Sequence, residues 1–275
     1  MEESRIYTFL DSKKIYCVRL LDGQKLIYDL AIQQPIKKFA FIRSAILCSA
    51  PMIAMLKGNE NFGFYVDATE PKFNLKVEIK SNGNTRATVN KESINPKEKL
   101  NGVLRIVKYM PFQKDYYNSN ILIKNLNYSQ IVNEALVQSF QFETVLLLSP
   151  YADQSFLISK LPLSNEEEKQ LDLPNIDKWV VKNKKWLLDI TRKYKNSGEL
   201  IKEFAKKSFT LLTSMPINLK CECSVEKILN LLTTLYKQDP KQLFEGEKSL
   251  KIDCEYCTKS YDITEEKLKK FTYPV

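Results

Sequence analysis

Apolar and polar positions alternate over residues 5–10 and again over 14–20, on either side of Asp11-Ser12-Lys13. Successive side chains of a strand face opposite sides, so this pattern predicts a β-hairpin. Residues 24–33 read as a short helix closed before Pro35. From 37 to 57, Ala, Ile, Leu and Phe recur at helical spacing up to Gly58, a C-cap residue, and Pro51 should kink or restart that helix. Period two returns at 62–66, 75–79 and 85–89, with Ser81-Asn82-Gly83-Asn84 as the turn between the last two. Strands follow at 102–109 and 119–124, then an amphipathic helix over 129–140 carrying Ile131, Ala135 and Val137. Residues 145–148 and 155–160 return to strand. Hairpins with few βαβ units indicate an α+β fold, with a mixed N-terminal domain over residues 1–170.

The pattern then changes. Residues 171–215 read as a helical linker, broken by Asn196-Ser197-Gly198 into two runs. In the first, Trp179, Asn183, Trp186-Leu187 and Ile190 follow i, i+4, i+7, i+11 and form one narrow face; Leu200-Ile201 and Phe204 do the same in the second. A lysine-rich helix this short is marginal in water, so its stability must come from docking the face that carries Trp179, Trp186 and Ile190. The two indoles, the only tryptophans of the chain, are expected to face the N-terminal domain as a latch. A permanently packed helix pair is the competing reading. In the last unit, 216–275, Ser224 caps a helix with Val225, Ile228-Leu229, Leu232 and Leu235-Tyr236 as its apolar stripe. Asp239-Pro240 starts a short helix, 250–252 and 260–263 are strands, and Thr264 caps a final helix.

That last unit holds the candidate chemistry: Cys221-Glu222-Cys223-Ser224 and Cys254-Glu255-Tyr256-Cys257. Paired short spacings let each turn present two sulfurs to one point, the arrangement a soft divalent metal takes from four thiolates. The chain has no histidine, which removes nitrogen-ligand variants. Zinc held by Cys221, Cys223, Cys254 and Cys257 is the first reading; two structural disulfides or four unrelated cysteines compete with it. The start, MEESRIYTFL, lacks a basic, apolar leader, and no apolar run is expected to span a membrane. A cytoplasmic setting follows as the expectation, in which thiols stay reduced. About sixty residues with few large apolar groups cannot build a sufficient core unaided, so bound metal would supply the deficit.

Charge narrows the partners. The net charge is +9, which raises nucleic acid as a candidate. Lysines and acids balance from Pro216 onward, ten against ten, while the surplus concentrates in 175–215 with ten basic and four acidic residues. A nucleic-acid-binding zinc ribbon is therefore disfavoured. A thiol-disulfide oxidoreductase using Cys254 and Cys257 would want a thioredoxin-like βαβ setting, which the last sixty residues lack. With seven glycines, no phosphate-cradling loop and no histidine, nothing in the N-terminal domain reads as catalytic. Glu166-Glu167-Glu168 read as solvent-facing, and Cys17 and Cys48 as packing residues.

The cysteine pairs with downstream Tyr261 resemble the zinc switch of the 33-kilodalton heat-shock family of redox-regulated chaperones. Ser4-Arg5-Ile6-Tyr7 with Phe9-Leu10-Asp11, Leu56-Lys57-Gly58 and Ser139-Phe140-Gln141 resemble further segments of it. Gln154-Ser155-Phe156 stands where the family has a G-G-F turn, and Leu163 where it tends to have glycine. The resemblance implies a non-enzymatic, ATP-independent holdase for unfolding clients under oxidative or heat stress. It implies that oxidation forms Cys221–Cys223 and Cys254–Cys257 disulfides, releases zinc and unfolds the switch and a metastable linker. It also implies a homodimer when oxidised; from the charge distribution and the apolar run lengths, neither nucleic acid nor membrane is expected as a partner.

Overall fold

The structure is a computed structural model, and it describes residues 2–273 apart from 57, 91–93, 96, 111–115, 141–142, 163–173 and 195. Glu166-Glu167-Glu168, Leu163 and Gln141 lie outside the described residues. The chain divides into two compact units, Met1–Leu219 and Lys220–Val275. The sequence reading had set this boundary at 215/216.

In the first unit, β1 (Arg5–Asp11) and β2 (Tyr16–Asp22) form the expected hairpin, followed by α1 (Gln24–Gln33) and α2 (Ile36–Ser49). A 3-10 turn over Ala50–Met55 follows α2, with Pro51 near its start, so the helix expected over 37–57 changes pitch at the proline, where a kink or restart was expected. Strands β3 (Asn61–Glu70), β4 (Lys72–Ile79), β5 (Asn84–Val89), β6 (Leu100–Tyr109) and β7 (Tyr116–Leu126) come next. Helix α3 (Tyr128–Ala135) starts in a capping box of Asn127 and Gln130 and loosens into a π turn over Leu136–Phe140, which leaves Val137 exposed. Then come β8 (Thr144–Leu148), β9 (Gln154–Lys160), α4 (Ile176–Lys193) and α5 (Ser197–Lys206).

After α5 the structure departs from the sequence reading. Residues expected to close a helical linker form β10 (Phe209–Pro216), antiparallel to β1, and β11 (Asn218–Leu219) pairs with β5. Thr210, Thr213 and the leucines between them favour extended backbone. A bulge at Leu212 breaks the alternation by which the strand would have been recognised. The turn that receives β11 needs its glycine. Gly83 has φ +84, and a Cβ there would lie 2.0 Å from the Pro216 carbonyl oxygen.

The strands make a five-stranded sheet, β10-β1-β2-β9-β8, and a six-stranded sheet, β11-β5-β4-β3-β6-β7. Inner residues of both, such as Leu21, Leu157, Phe64, Leu75 and Ile106, share one core with α2, whose Phe41, Ile42, Ala45, Ile46, Leu47 and Cys48 are all fully buried. A helix apolar on every side belongs inside a core. The segment Ile36–Met55 is in fact long and apolar enough to cross a bilayer, against the sequence reading, but 67% of it is buried within the protein. Cys17 and Cys48 are buried, and burial raises both thiols, Cys48 to about 12, so they pack rather than react. Alternate residues of the five-stranded sheet (Phe9, Val18, Leu20, Phe156, Ile158) face the other way and carry α4 and α5.

The second unit holds α6 (Val225–Gln238), α7 (Pro240–Phe244), a hairpin of β12 (Ser249–Asp253) and β13 (Ser260–Thr264), and α8 (Glu265–Thr272). Ser224, Asp239 and Thr264 cap their helices through side-chain oxygens, as the sequence indicated. The core here is small: Leu229, Tyr236, Phe244, Tyr261, Ile263 and Leu268, with Cys223 and Cys254 packed against it.

Candidate metal centre

Cys221 and Cys223 sit just ahead of the Ser224 cap, so α6 directs its positive end towards them. Cys254 and Cys257 occupy the tight turn between β12 and β13. There Thr258 donates its amide to the Cys254 carbonyl at 2.8 Å, and Cys254 donates to the Lys259 carbonyl at 3.0 Å. Thr258 takes φ +59 to close the turn. The four sulfurs lie within 4.8 Å of one another, Cys221 to Cys254 at 3.6 Å and Cys223 to Cys257 at 3.4 Å. A zinc ion with Zn–S bonds of about 2.3 Å sets tetrahedral S–S edges of about 3.8 Å. The donor set therefore fits one tetrahedral dication.

Electrostatics agree with that fit. For Cys223, burial pushes the thiol up, but this is outweighed by hydrogen bonds from Tyr261, whose hydroxyl donates to Sγ at 3.0 Å, and from Cys257. Its pKa is lowered to about 7. Cys257 is pushed up to about 12, first by burial and then by its hydrogen bonds to Cys223 and Cys254. Without a cation the cluster thus favours a thiolate at Cys223 while its neighbour keeps the proton, because like charges this close oppose joint ionisation. A dication would remove that opposition and let all four ionise. Tyr261 stood in the sequence only as a tyrosine downstream of the pairs. Its role depends on the β12–β13 register, which sets it opposite Ile252.

The second set of expected residues lies on α4. Trp179 stacks on Tyr16 of β2 with centroids 5.0 Å apart. Trp186 meets Phe204 of α5 at 5.2 Å and Phe209 of β10 at 6.2 Å. Ile190 is buried in the same cluster, while both indoles stay half-buried. Phe204 in turn stacks on Phe9 of β1 at 4.0 Å. Polar contacts fasten the ends of α4. Tyr16 donates its hydroxyl to the Pro174 carbonyl at 2.6 Å, and Ser149 shares a buried hydrogen bond with Thr191 at 2.7 Å. The sequence pattern missed these anchors, since isolated Ser and Thr residues carry no signal of partnership.

Residues 9–264 match the family model described as Hsp33 protein. Among curated relatives, the 33 kDa chaperonin of Lachnoclostridium phytofermentans is 22% identical over 242 residues, covering 80% of each chain. That of a Geobacillus species is 23% identical over 84% of this chain and 83% of its own. The 33 kDa chaperonin of Limosilactobacillus fermentum aligns at 24% identity over 61% of this chain and 59% of its own. A crystal structure of the Thermotoga maritima 33 kDa chaperonin (heat shock protein 33 homolog) superposes with a TM-score of 0.71 over 98% of both chains, at 15% identity. With a model match running through both compact units, the chain belongs to the Hsp33 family.

Proposed function

We propose that this chain is a chaperone that binds unfolding proteins without ATP and is switched on by oxidation of its four clustered cysteines. The observation that carries the reading is the meeting of four sulfurs within 4.8 Å inside a unit whose core is six buried apolar side chains. Zinc bound there would hold the four thiolates together and contribute roughly 10–16 kcal/mol of folding free energy. The residues that would hold it are Cys221, Cys223, Cys254 and Cys257, and the unit's small core makes its fold depend on them.

The switch follows from thiolate chemistry. A two-electron oxidant such as a peroxide takes an oxygen onto one thiolate sulfur, giving a sulfenic acid and hydroxide. The neighbouring thiolate then displaces hydroxide from that sulfur, forming the S–S bond; two electrons have passed from two sulfurs to the peroxide. Pairing Cys221 with Cys223 and Cys254 with Cys257 is the family-implied outcome. All four sulfurs lie close enough that the geometry of the reduced cluster does not choose between pairings. Each disulfide removes two of four ligands, and with them most of what keeps the unit folded. The segment α4-α5-β10-β11 ends at Leu219, two residues before Cys221, and its aromatic cluster would loosen next. The uncovered face of Phe9, Tyr16, Val18 and Leu20 is the proposed client surface, and the oxidised chain is proposed to dimerise. The cysteines act as a sensor and turn nothing over. Anaerobic purification followed by metal analysis should find one zinc per chain, lost in Cys254→Ser. A Cys254→Ser variant that keeps one tight zinc would remove the assignment.

A further inference from the structure

Beside the turn between β8 and β9 the first unit has a cavity of about 420 Å³, within the roughly 300–1,000 Å³ usual for small-molecule sites. Three parts of the fold line it: Ile27 and Tyr28 of α1 with Phe39 of α2, Tyr151 of the turn, and Arg192 and Tyr194 at the end of α4. Hydrogen bonds fasten these walls to one another. Gly23, just ahead of α1, donates its amide to the Asp153 carbonyl at 2.8 Å, an approach so close that a Cβ on Gly23 would stand 2.9 Å from that oxygen. Arg43 of α2 donates Nε to the Asp153 carboxylate at 2.5 Å and Nη2 to the Ala152 carbonyl at 3.3 Å. The Ser149 hydroxyl accepts from the amides of Tyr151 at 3.1 Å and Ala152 at 3.3 Å, and it shares the hydrogen bond with Thr191 that ties the turn to α4. A cavity with walls fixed in this way costs a ligand little ordering.

Its polar groups are uncommitted. Tyr28 and Tyr151 are each about half exposed, and neither hydroxyl has a hydrogen-bond partner among the described residues. The Arg192 guanidinium lies 5.6 Å from the Tyr151 ring centroid and makes no ion pair among the described residues. Stacking uses the face of a guanidinium and leaves its in-plane N–H donors available. The carboxylate of the lining, Asp153, is already paired with Arg43. One unpaired cation matches a monoanion, and the planar N–H fork matches a carboxylate bidentately. The two tyrosine rings with Ile27 and Phe39 match a flat apolar body.

We propose that this cavity binds a small aryl carboxylate, with the carboxylate on Arg192 and the ring against Tyr28 and Tyr151. Because α4 supplies one wall, the ligand binds while α4 is docked, and by linkage it holds α4 in place. That coupling rests on the proposed switch, in which α4 is released; the binding itself does not.

The test is a ligand-observed NMR titration of the reduced, zinc-loaded full chain with 1-naphthaleneacetate, its uncharged amide and the matching naphthyl phosphate. The acid should bind with a Kd of about 1 mM or tighter, about ten-fold or more ahead of the amide and the phosphate. Arg192→Gln, at an exposed position, should weaken the acid about ten-fold and leave the amide unchanged. Ala31→Trp, on the exposed rim, should fill the cavity and weaken acid and amide alike. No binding up to about 10 mM, an amide or phosphate as tight as the acid, or an Arg192→Gln chain that holds the acid as before would each overturn the site. After peroxide, saturating acid should delay holding activity in the wild type but not in Arg192→Gln, with zinc release unchanged. Bound acid without that delay would remove the coupling. A chain that never gains holding activity would remove the chaperone reading and the coupling with it, while the titration still decides the site.

Discussion

Replacing Trp186 separates the two contributions that this side chain makes to the α4 cluster. Its ring packs against Phe204 and Phe209, with the Lys207 ammonium 5.9 Å from the ring centroid. Its indole nitrogen is buried without a hydrogen-bond partner among the described residues. Truncating a buried tryptophan costs about 3–5 kcal/mol, and this one is half-buried. Removing an unpaired buried donor returns about 1–3 kcal/mol. Trp186→Ala should therefore destabilise the first unit by at most about 2 kcal/mol, leaving a cavity between α4, α5 and β10. Trp186→Phe keeps an aromatic ring in contact and deletes the unpaired N–H, so it should cost less than about 1 kcal/mol. The assay is urea unfolding of the reduced, zinc-loaded chain followed by fluorescence of Trp179, then the sole tryptophan. Under the proposed function, Trp186→Ala should also suppress client aggregation in part without oxidation. Equal destabilisation by Phe and Ala would show that the indole nitrogen is satisfied and that this reasoning is wrong.

Two further outcomes follow from buried or clustered ionisable groups. Asp22 is held above the usual carboxylate range, first by burial, and it accepts a hydrogen bond from Gln154, whose own Oε1 is buried without a partner among the described residues. Above its ordinary pKa of 3.8 the folded chain keeps a proton that the unfolded chain has lost, so this group's contribution to stability falls as pH rises through that window. Asp22→Asn can donate back to Gln154, and it should abolish that slope and gain about 1 kcal/mol at pH 7 in thermal melts; a less stable variant at pH 7 would refute it. Tyr261→Phe removes a hydrogen bond to the Cys223 sulfur, so the zinc affinity of the reduced chain should fall about ten-fold or more in competition with a chelator. Unchanged zinc affinity would deny Tyr261 any hold on that sulfur.

Much of the fold was legible because most elements obey one period. The first hairpin, α1 at 24–33 and the capped helices of the second unit each combine a clear period with a turn or cap residue. The four cysteines needed only their spacing to suggest convergence. What escaped has physical causes. Strand β10 carries Leu211 and Leu212 side by side at a bulge, so neither period two nor 3.6 describes it, and the lysine-rich helices before it suggested more helix. Its place beside β1 is set by pairing with residues some two hundred positions away, which no local window sees. The apolar stretch at 36–55 reaches spanning length because from Phe41 onward it runs through the core shared by the two sheets, while Ile36 at its start is exposed. Tyr261 reaches Cys223 through a hairpin register, and Asn133 reaches Leu146 through tertiary packing.

The central claim, that one oxidation event couples metal loss to chaperone activity, is tested most directly by following both in a single time course. Reduced, zinc-loaded chain would be treated with peroxide under mild heat while a chromogenic chelator reports free zinc. Aliquots would be assayed for suppression of aggregation of an unfolding client. The account predicts one zinc released per chain, four thiols lost, and holding activity that rises in step with both and reverses when dithiothreitol and zinc are restored. Full activity with zinc still bound, or complete zinc release with no gain in activity, would contradict it.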